Sequence, residues 1–249
     1  MTHIRNNIDL FSLKRCVKSI ITFDTSYDIT IVDDNSLMSV SDDDFFKIHN
    51  VQIIKNTWFP GSAEIFPYWY NRKFRQYDVF ITLHDSMILK RSIPDSVWDK
   101  KCCILWYFDR IKKLKHLTNS MRTLCDNMKY GDIIFDTYFN KLDRWVGCFG
   151  VTALVEQSLM DIIFEKYNFE NVVSLIDNHK KREACERILG IFFSLELGKA
   201  NVMKNSLGGS IFDHPYKYII DLDASSSFEQ LIEKYKNVNA YLIKTWKGR

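Results

Sequence analysis

Glycine and proline are scarce, at 9 and 4 of 249 residues. That excludes collagen-like, Pro-rich and Gly/Ser-rich low-complexity architectures and predicts a compact body rich in regular elements. Six cysteines occur, Cys16, Cys102, Cys103, Cys125, Cys148 and Cys185, and no two are spaced C-x-x-C. Zinc-ribbon and thioredoxin-like spacings are therefore missing. Most of these residues sit in apolar runs such as KKCCILWYF, where a reduced thiol acts as a small hydrophobe. Reduced core thiols and a cytoplasmic location are expected. No uncharged apolar stretch approaches the roughly 18 residues of a membrane span, and the opening MTHIRNNIDLF carries no signal-peptide core. An excess of one charge is also lacking, since 34 Lys and Arg against 31 Asp and Glu leave +3. So even a balance gives no footprint for nucleic acid as a partner.

What is present is an ordinary globular mixture, 46% hydrophobic, 14% aromatic and 26% charged. Leu10, Leu13, Val17, Ile20 and Ile21 fall at helical spacing and predict an amphipathic helix over about 9–22. YDITIVDDNS supplies a strand at 28–32 that stops at two aspartates. A helix at 42–48, a strand at 51–55, a helix at 62–76 and a strand at 77–86 follow. CCILWYF (102–108) reads as another strand, 110–128 as a basic helix, and 152–166 and 181–197 as helices. A Gly-containing loop (205–215), a helix near 227–236 and a strand near 239–245 close the chain. Alternation of this kind predicts an α/β fold, a mostly parallel central sheet flanked by helices, in a single domain spanning 1–249.

In such sheets ligands bind beyond the carboxyl ends of the strands. Asp33 and Asp34 stand at one such end and Asp85 at another. Carboxylates there can accept hydrogen bonds from a base or sugar, or hold a hard cation such as Mg²⁺ or Mn²⁺. The plainer alternative for Asp-Asn-Ser is a turn.

The stretch HIRNNIDLFSLKRCVKSIITFDTSYDITIVDDNS resembles the opening of nucleotide-sugar glycosyltransferases of the glycosyltransferase A fold. Arg5, Leu13, Ser19-Ile20 and Val32-Asp33-Asp34-Asn35-Ser36 match the group's pattern in order and approximate spacing, and the likeness covers about residues 3–90. It implies a Rossmann-like sheet, a nucleotide-sugar-binding half over about 1–100 and an acceptor-side half over about 101–249. It also implies a nucleoside diphosphate sugar as donor and a glycan or other hydroxyl as acceptor. By the same likeness Arg5, Asp33, Asp34 and Ser36 would hold the nucleotide. The edge where the group carries Asp-x-Asp reads Leu83-His84-Asp85-Ser86-Met87 here, which makes Asp85 the candidate ligand for Mn²⁺ or Mg²⁺, with His84 or Ser86 assisting directly or through water, and by the same likeness the later His214 is a candidate ligand or diphosphate contact.

Trp145-Val146-Gly147-Cys148-Phe149-Gly150 resembles the group's acceptor-side segment, with a simple strand-to-helix turn as the alternative. Glu183 and Glu186 open the helix KREACERILG, and by analogy with inverting members Glu186 is the first candidate for general base and Glu183 the second. Either could instead pair with Lys181, Arg182 or Arg187 on a solvated face. Two other readings stand beside the transferase. One is a non-catalytic nucleotide-sugar- or glycan-binding module of the same fold. The other is a sugar-phosphate nucleotidyltransferase, which needs a Gly-rich phosphate loop that residues 1–12 do not contain.

Overall fold

A computed structural model of the chain describes residues 1–58, 61–109, 115–213, 220–221 and 225–245. The chain divides into two compact units that are not sequential. One comprises 1–56, 83–94 and 212–249; the other comprises 57–82 and 95–211.

In the first unit the helix Asn7–Phe23 begins where the Asn6 side chain accepts from the Ile8 and Asp9 amides, the usual remedy for unsatisfied N-terminal donors. Its inner face carries Leu13 and Val17, which pack with Ile4, Ile31, Val40 and Phe46. Each such side chain contributes on the order of 1.5–3 kcal/mol through burial. The strand Thr30–Asp33 pairs in parallel with Gln52–Lys55, placing Asp33 opposite Lys55. The N-terminal segment continues this pairing. Thr2 bridges Asp33 in parallel, the Met1 ammonium donates to the Leu83 carbonyl at 2.9 Å, and the Asp85 amide donates to Met1. A separate three-stranded sheet runs Met87–Leu89, Leu242–Thr245, Ile220–Asp221.

The second unit is built on the antiparallel sheet Val79–Ile81, Ala153–Glu156, Cys102–Ile104. Tyr107–Phe108 pairs antiparallel with Gly147–Cys148. Around these lie the helices Phe66–Phe74, Thr118–Cys125, Gly131–Asn140, Gln157–Tyr167 and His179–Leu197. Trp145, Val155, Leu159, Ile188 and Phe192 belong to the core they enclose.

The expected mostly parallel central sheet of glycosyltransferase A type is therefore corrected. The described sheets hold two or three strands each, and most of their pairings are antiparallel. The physical reason lies in the run 77–86. It reads as one strand, yet the chain changes unit after Thr82. Val79–Ile81 then pairs antiparallel with Ala153–Glu156, while Leu83–Asp85 lies along Met1. Helix–strand alternation implies parallel strands only when successive strands pair through crossovers. Here the partners come from far along the chain.

Smaller differences have local causes. Helix 152–166 is expected, but Ala153–Glu156 is a strand and the helix begins at Gln157. Its β-branched and aliphatic opening suits a buried strand as well as a helix. Of the loop expected at 205–215, residues 214–215 lie outside the described residues, and 207–209 are tied down by hydrogen bonds of Leu207 and Gly208 to the Ile104 and Leu105 carbonyls and of Tyr107 to the Gly209 carbonyl. Of the basic helix expected at 110–128, residues 110–114 lie outside the described residues, and Thr118–Cys125 is helical.

Gly190 sets how closely the helix His179–Leu197 approaches the chain at 146–148. A Cβ there would stand 2.0 Å from the Val146 carbonyl oxygen and 2.8 Å from the Gly147 Cα. Backbone cannot yield as a side-chain tip does. Gly190→Ala is expected to cost roughly 1–3 kcal/mol through overpacking, read as a lower urea midpoint with an unchanged slope. A midpoint equal to the parent's would show that the helix has room to retreat.

Candidate functional site

The acidic edge of the first unit is organised by residues 1–5. Asp33 is buried, and its carboxylate accepts the Ser36 amide at 3.0 Å across a turn whose middle residue, Asn35, has a φ of 56°. Ser36 in turn accepts the Ile4 amide on its hydroxyl at 2.8 Å. Both residues are thus engaged in building the Asp-Asp-Asn-Ser turn, the role such residues commonly play. Asp34 is only half-buried. Its carboxylate accepts the Asn56 side-chain amide at 2.7 Å, and its carbonyl meets the His3 imidazole Nδ1 at 2.7 Å. Of the two, Asp34 is the better placed to meet a ligand.

Arg5 stands beside this edge with 41% of its side chain exposed. Its Nε donates to Asp9 at 2.9 Å, and its backbone amide donates to the same oxygen at 3.1 Å. The hydrogen bond to Asp9, then the charges of Asp9 and Asp85, raise the guanidinium's pKa further. Asp9 stands four residues after Arg5, the spacing at which such pairs meet. Thr2, His3 and Asn56 carry no sequence signal of their own. They arrive through strand pairing.

Asp85 is buried and accepts the Thr2 hydroxyl at 2.7 Å. The His84 carbonyl accepts the Cys16 thiol at 3.6 Å. His214 lies outside the described residues. Divalent cations of this class take six or more oxygen ligands, several of them carboxylates when the protein alone forms the cage. Among the described residues no group of three or more His, Cys, Asp or Glu converges to hold a metal. Asp85 thus offers a single carboxylate at this edge, already accepting the Thr2 hydroxyl.

In the second unit the two helix acids have different surroundings. Glu183 is met by the imidazole Nε2 of His179 at 3.0 Å and of His116 at 3.5 Å. It is the outer, partnered acid. Glu186 lies deeper, its side chain 17% exposed. One carboxylate oxygen accepts the Gly150 amide at 2.9 Å, and the other accepts Arg187 at 3.2 Å. Burial, followed by the negative charge of Glu64, pushes the Glu186 carboxyl up to about 7, against the lowering pull of Arg187 and the Gly150 amide. Glu64, on the short turn Ser62–Glu64, is itself near Arg182 at 3.7 Å. It is a member of this cluster that sequence reading missed, because only the fold brings residue 64 to residue 186. A carboxyl poised near neutrality can both accept and return a proton at working pH.

The turn that meets Glu186 is unusual. Gly150 and Val151 both adopt left-handed φ values, 62° and 55°. For a fully buried β-branched residue that conformation is costly and persists only where the surroundings enforce it.

The cysteines complete the picture. All six are buried; burial pushes the Cys103 and Cys125 thiols up to about 12 and the Cys102, Cys148 and Cys185 thiols well up. These five are poor nucleophiles at neutral pH. No helix among the described residues is long and apolar enough to cross a membrane.

Comparison with protein families, with curated proteins and with solved structures finds no match for this chain.

Proposed function

We propose that the protein is a glycosyltransferase that moves a sugar from a nucleoside diphosphate sugar to an acceptor hydroxyl. The observation that carries this reading is Glu186, a largely buried carboxyl raised to about 7 and hydrogen-bonded to a strained turn. Deprotonated, it accepts the proton of an acceptor hydroxyl as that oxygen bonds to the sugar's anomeric carbon, while the bond from that carbon to the diphosphate oxygen breaks and nucleoside diphosphate leaves with the electron pair. Nucleotide binding falls to the acidic edge of the first unit. Asp34 accepts hydrogen bonds from the base or ribose, and the exposed Arg5 guanidinium, held by Asp9, offers donors to phosphate oxygens. Asp33 and Ser36 shape the turn that presents Asp34. The choice of a nucleotide sugar as donor rests on the likeness over residues 3–90.

Titration calorimetry with a panel of nucleoside diphosphates tests the donor half. At least one is expected to bind, and Asp34→Ala to weaken it by on the order of 1–3 kcal/mol, the cost of losing a charged hydrogen-bond partner. Asp33→Ala should instead lower thermal stability. Equal affinity in the parent and Asp34→Ala would remove this carboxylate from the site, and no binding by any nucleotide would end the donor assignment.

A further inference from the structure

Tyr68 lies outside every residue so far given a chemical role, yet it is tied to the turn that meets Glu186. It is fully buried in the helix Phe66–Phe74. Its hydroxyl donates to the Val151 carbonyl at 2.8 Å and lies 2.8 Å from the Thr82 hydroxyl. Thr82 donates to the same Val151 oxygen at 3.1 Å and accepts the Ala153 amide at 3.1 Å. Two buried hydroxyls therefore grip one carbonyl. That carbonyl belongs to Val151, the β-branched residue held at a φ of 55°, and the residue before it is Gly150, whose amide donates to Glu186. Burial keeps the Tyr68 phenol protonated, with a pKa well above its ordinary value, so it is a permanent donor.

A left-handed valine is sterically costly relative to an ordinary backbone well. Something must offset it, and two hydrogen bonds to a buried carbonyl are of the right size. We infer that Tyr68 is a positioning residue for Glu186: its hydroxyl, with that of Thr82, locks Val151 in the left-handed conformation that aims the Gly150 amide at the Glu186 carboxylate. The chain of contact is hydroxyl to carbonyl, strained turn to amide, amide to carboxylate, each link within 3.1 Å. The inference deepens the proposed role of Glu186, but its readout does not depend on the protein being a transferase.

The amide favours the charged carboxylate, so its withdrawal raises the carboxyl's pKa. Other charged or titratable groups act on Glu186 as well. Arg187 and Glu183 lie on its own helix, Glu64 on the turn Ser62–Glu64, Cys185 beside it in sequence and Cys148 on the strand Gly147–Cys148. His116, His179 and Arg182 act at one remove through Glu183 and Glu64. Substitution at Tyr68 changes none of these charges.

The test is ¹³C NMR titration of the glutamate carboxyls in the full chain, with the Glu186 signal assigned by its loss in Glu186→Gln. In Tyr68→Phe the Glu186 carboxyl is expected to titrate about one pH unit higher than in the parent, the size of shift that losing a backbone donor produces. Tyr68→Phe combined with Val151→Gly is expected to restore the parent value, because glycine adopts a left-handed φ without strain and needs no tyrosine to hold it. Thr82→Val supplies a second route to the same shift if Tyr68→Phe does not fold. An unchanged Glu186 titration in a folded Tyr68→Phe or Thr82→Val overturns the inference. So does a shift that Val151→Gly fails to reverse, which would assign Tyr68 to packing alone.

Discussion

Glu186→Gln is expected to lower sugar transfer by roughly 10²–10⁴, the usual worth of a positioned base, while nucleotide affinity stays within about twofold of the parent's. That loss corresponds to about 3–5 kcal/mol of transition-state stabilisation. Glutamine preserves the size of the side chain and can still accept the Gly150 amide, but it cannot take a proton at neutral pH. Turnover in the parent should rise with pH and level off above about 7, following deprotonation of the carboxyl. Initial rates at saturating donor across pH 5–9, which brackets that value, check both statements. Full activity in Glu186→Gln with loss in Glu183→Gln would move the base one turn earlier. Full activity in both would take the helix His179–Leu197 out of the chemistry.

The second large effect runs in the opposite direction with pH. The Glu186 carboxyl is raised from its ordinary 4.5 to about 7 in the folded protein. A carboxyl raised on folding contributes its full stability below the unfolded value. That contribution is lost as pH climbs through the folded value. Between pH 4.5 and about 7 Glu186 should therefore withdraw roughly 3 kcal/mol from the parent's stability. Glu186→Gln should lack this loss and be more stable than the parent at pH 8. The gain is on the order of 1–3 kcal/mol, since Arg187 then lacks a charged partner. Urea midpoints of both proteins at pH 5 and pH 8 give the difference directly. A parent and variant that keep the same stability difference at both pH values would mean that Glu186 titrates normally. Activity gained and stability lost over the same pH range are two readings of one buried charge.

The acidic edge of the first unit and the Glu186 cluster of the second were legible to different degrees, for reasons of chain geometry. Asp34 has a local cue, two acids closing a β-branched run, whereas Arg5 is named only through the likeness over residues 3–90. What the linear order could not show is that Asp33 and Ser36 are engaged in the turn. Nor could it show that Thr2, His3 and Asn56 complete the edge through pairing across the sheet. Glu186 was readable as a carboxylate in the first turns of a helix. Its raised pKa was not, because it comes from burial and from Glu64, more than a hundred residues away in the chain. The helices Asn7–Phe23 and His179–Leu197 follow their apolar spacing closely. The sheets do not follow the strand signals, because a period of two marks a strand without naming its partner or direction. That is why a pattern suggesting one parallel sheet folded into several short, mostly antiparallel ones.

The most direct test of the central claim is release of nucleoside diphosphate from a panel of nucleotide sugars incubated with the protein, followed by coupled assay or ³¹P NMR. At least one donor is expected to be turned over, and turnover is expected to fall in Glu186→Gln by roughly 10²–10⁴. Intact donors throughout the panel, with and without offered acceptors, together with no nucleotide bound by calorimetry, would contradict it.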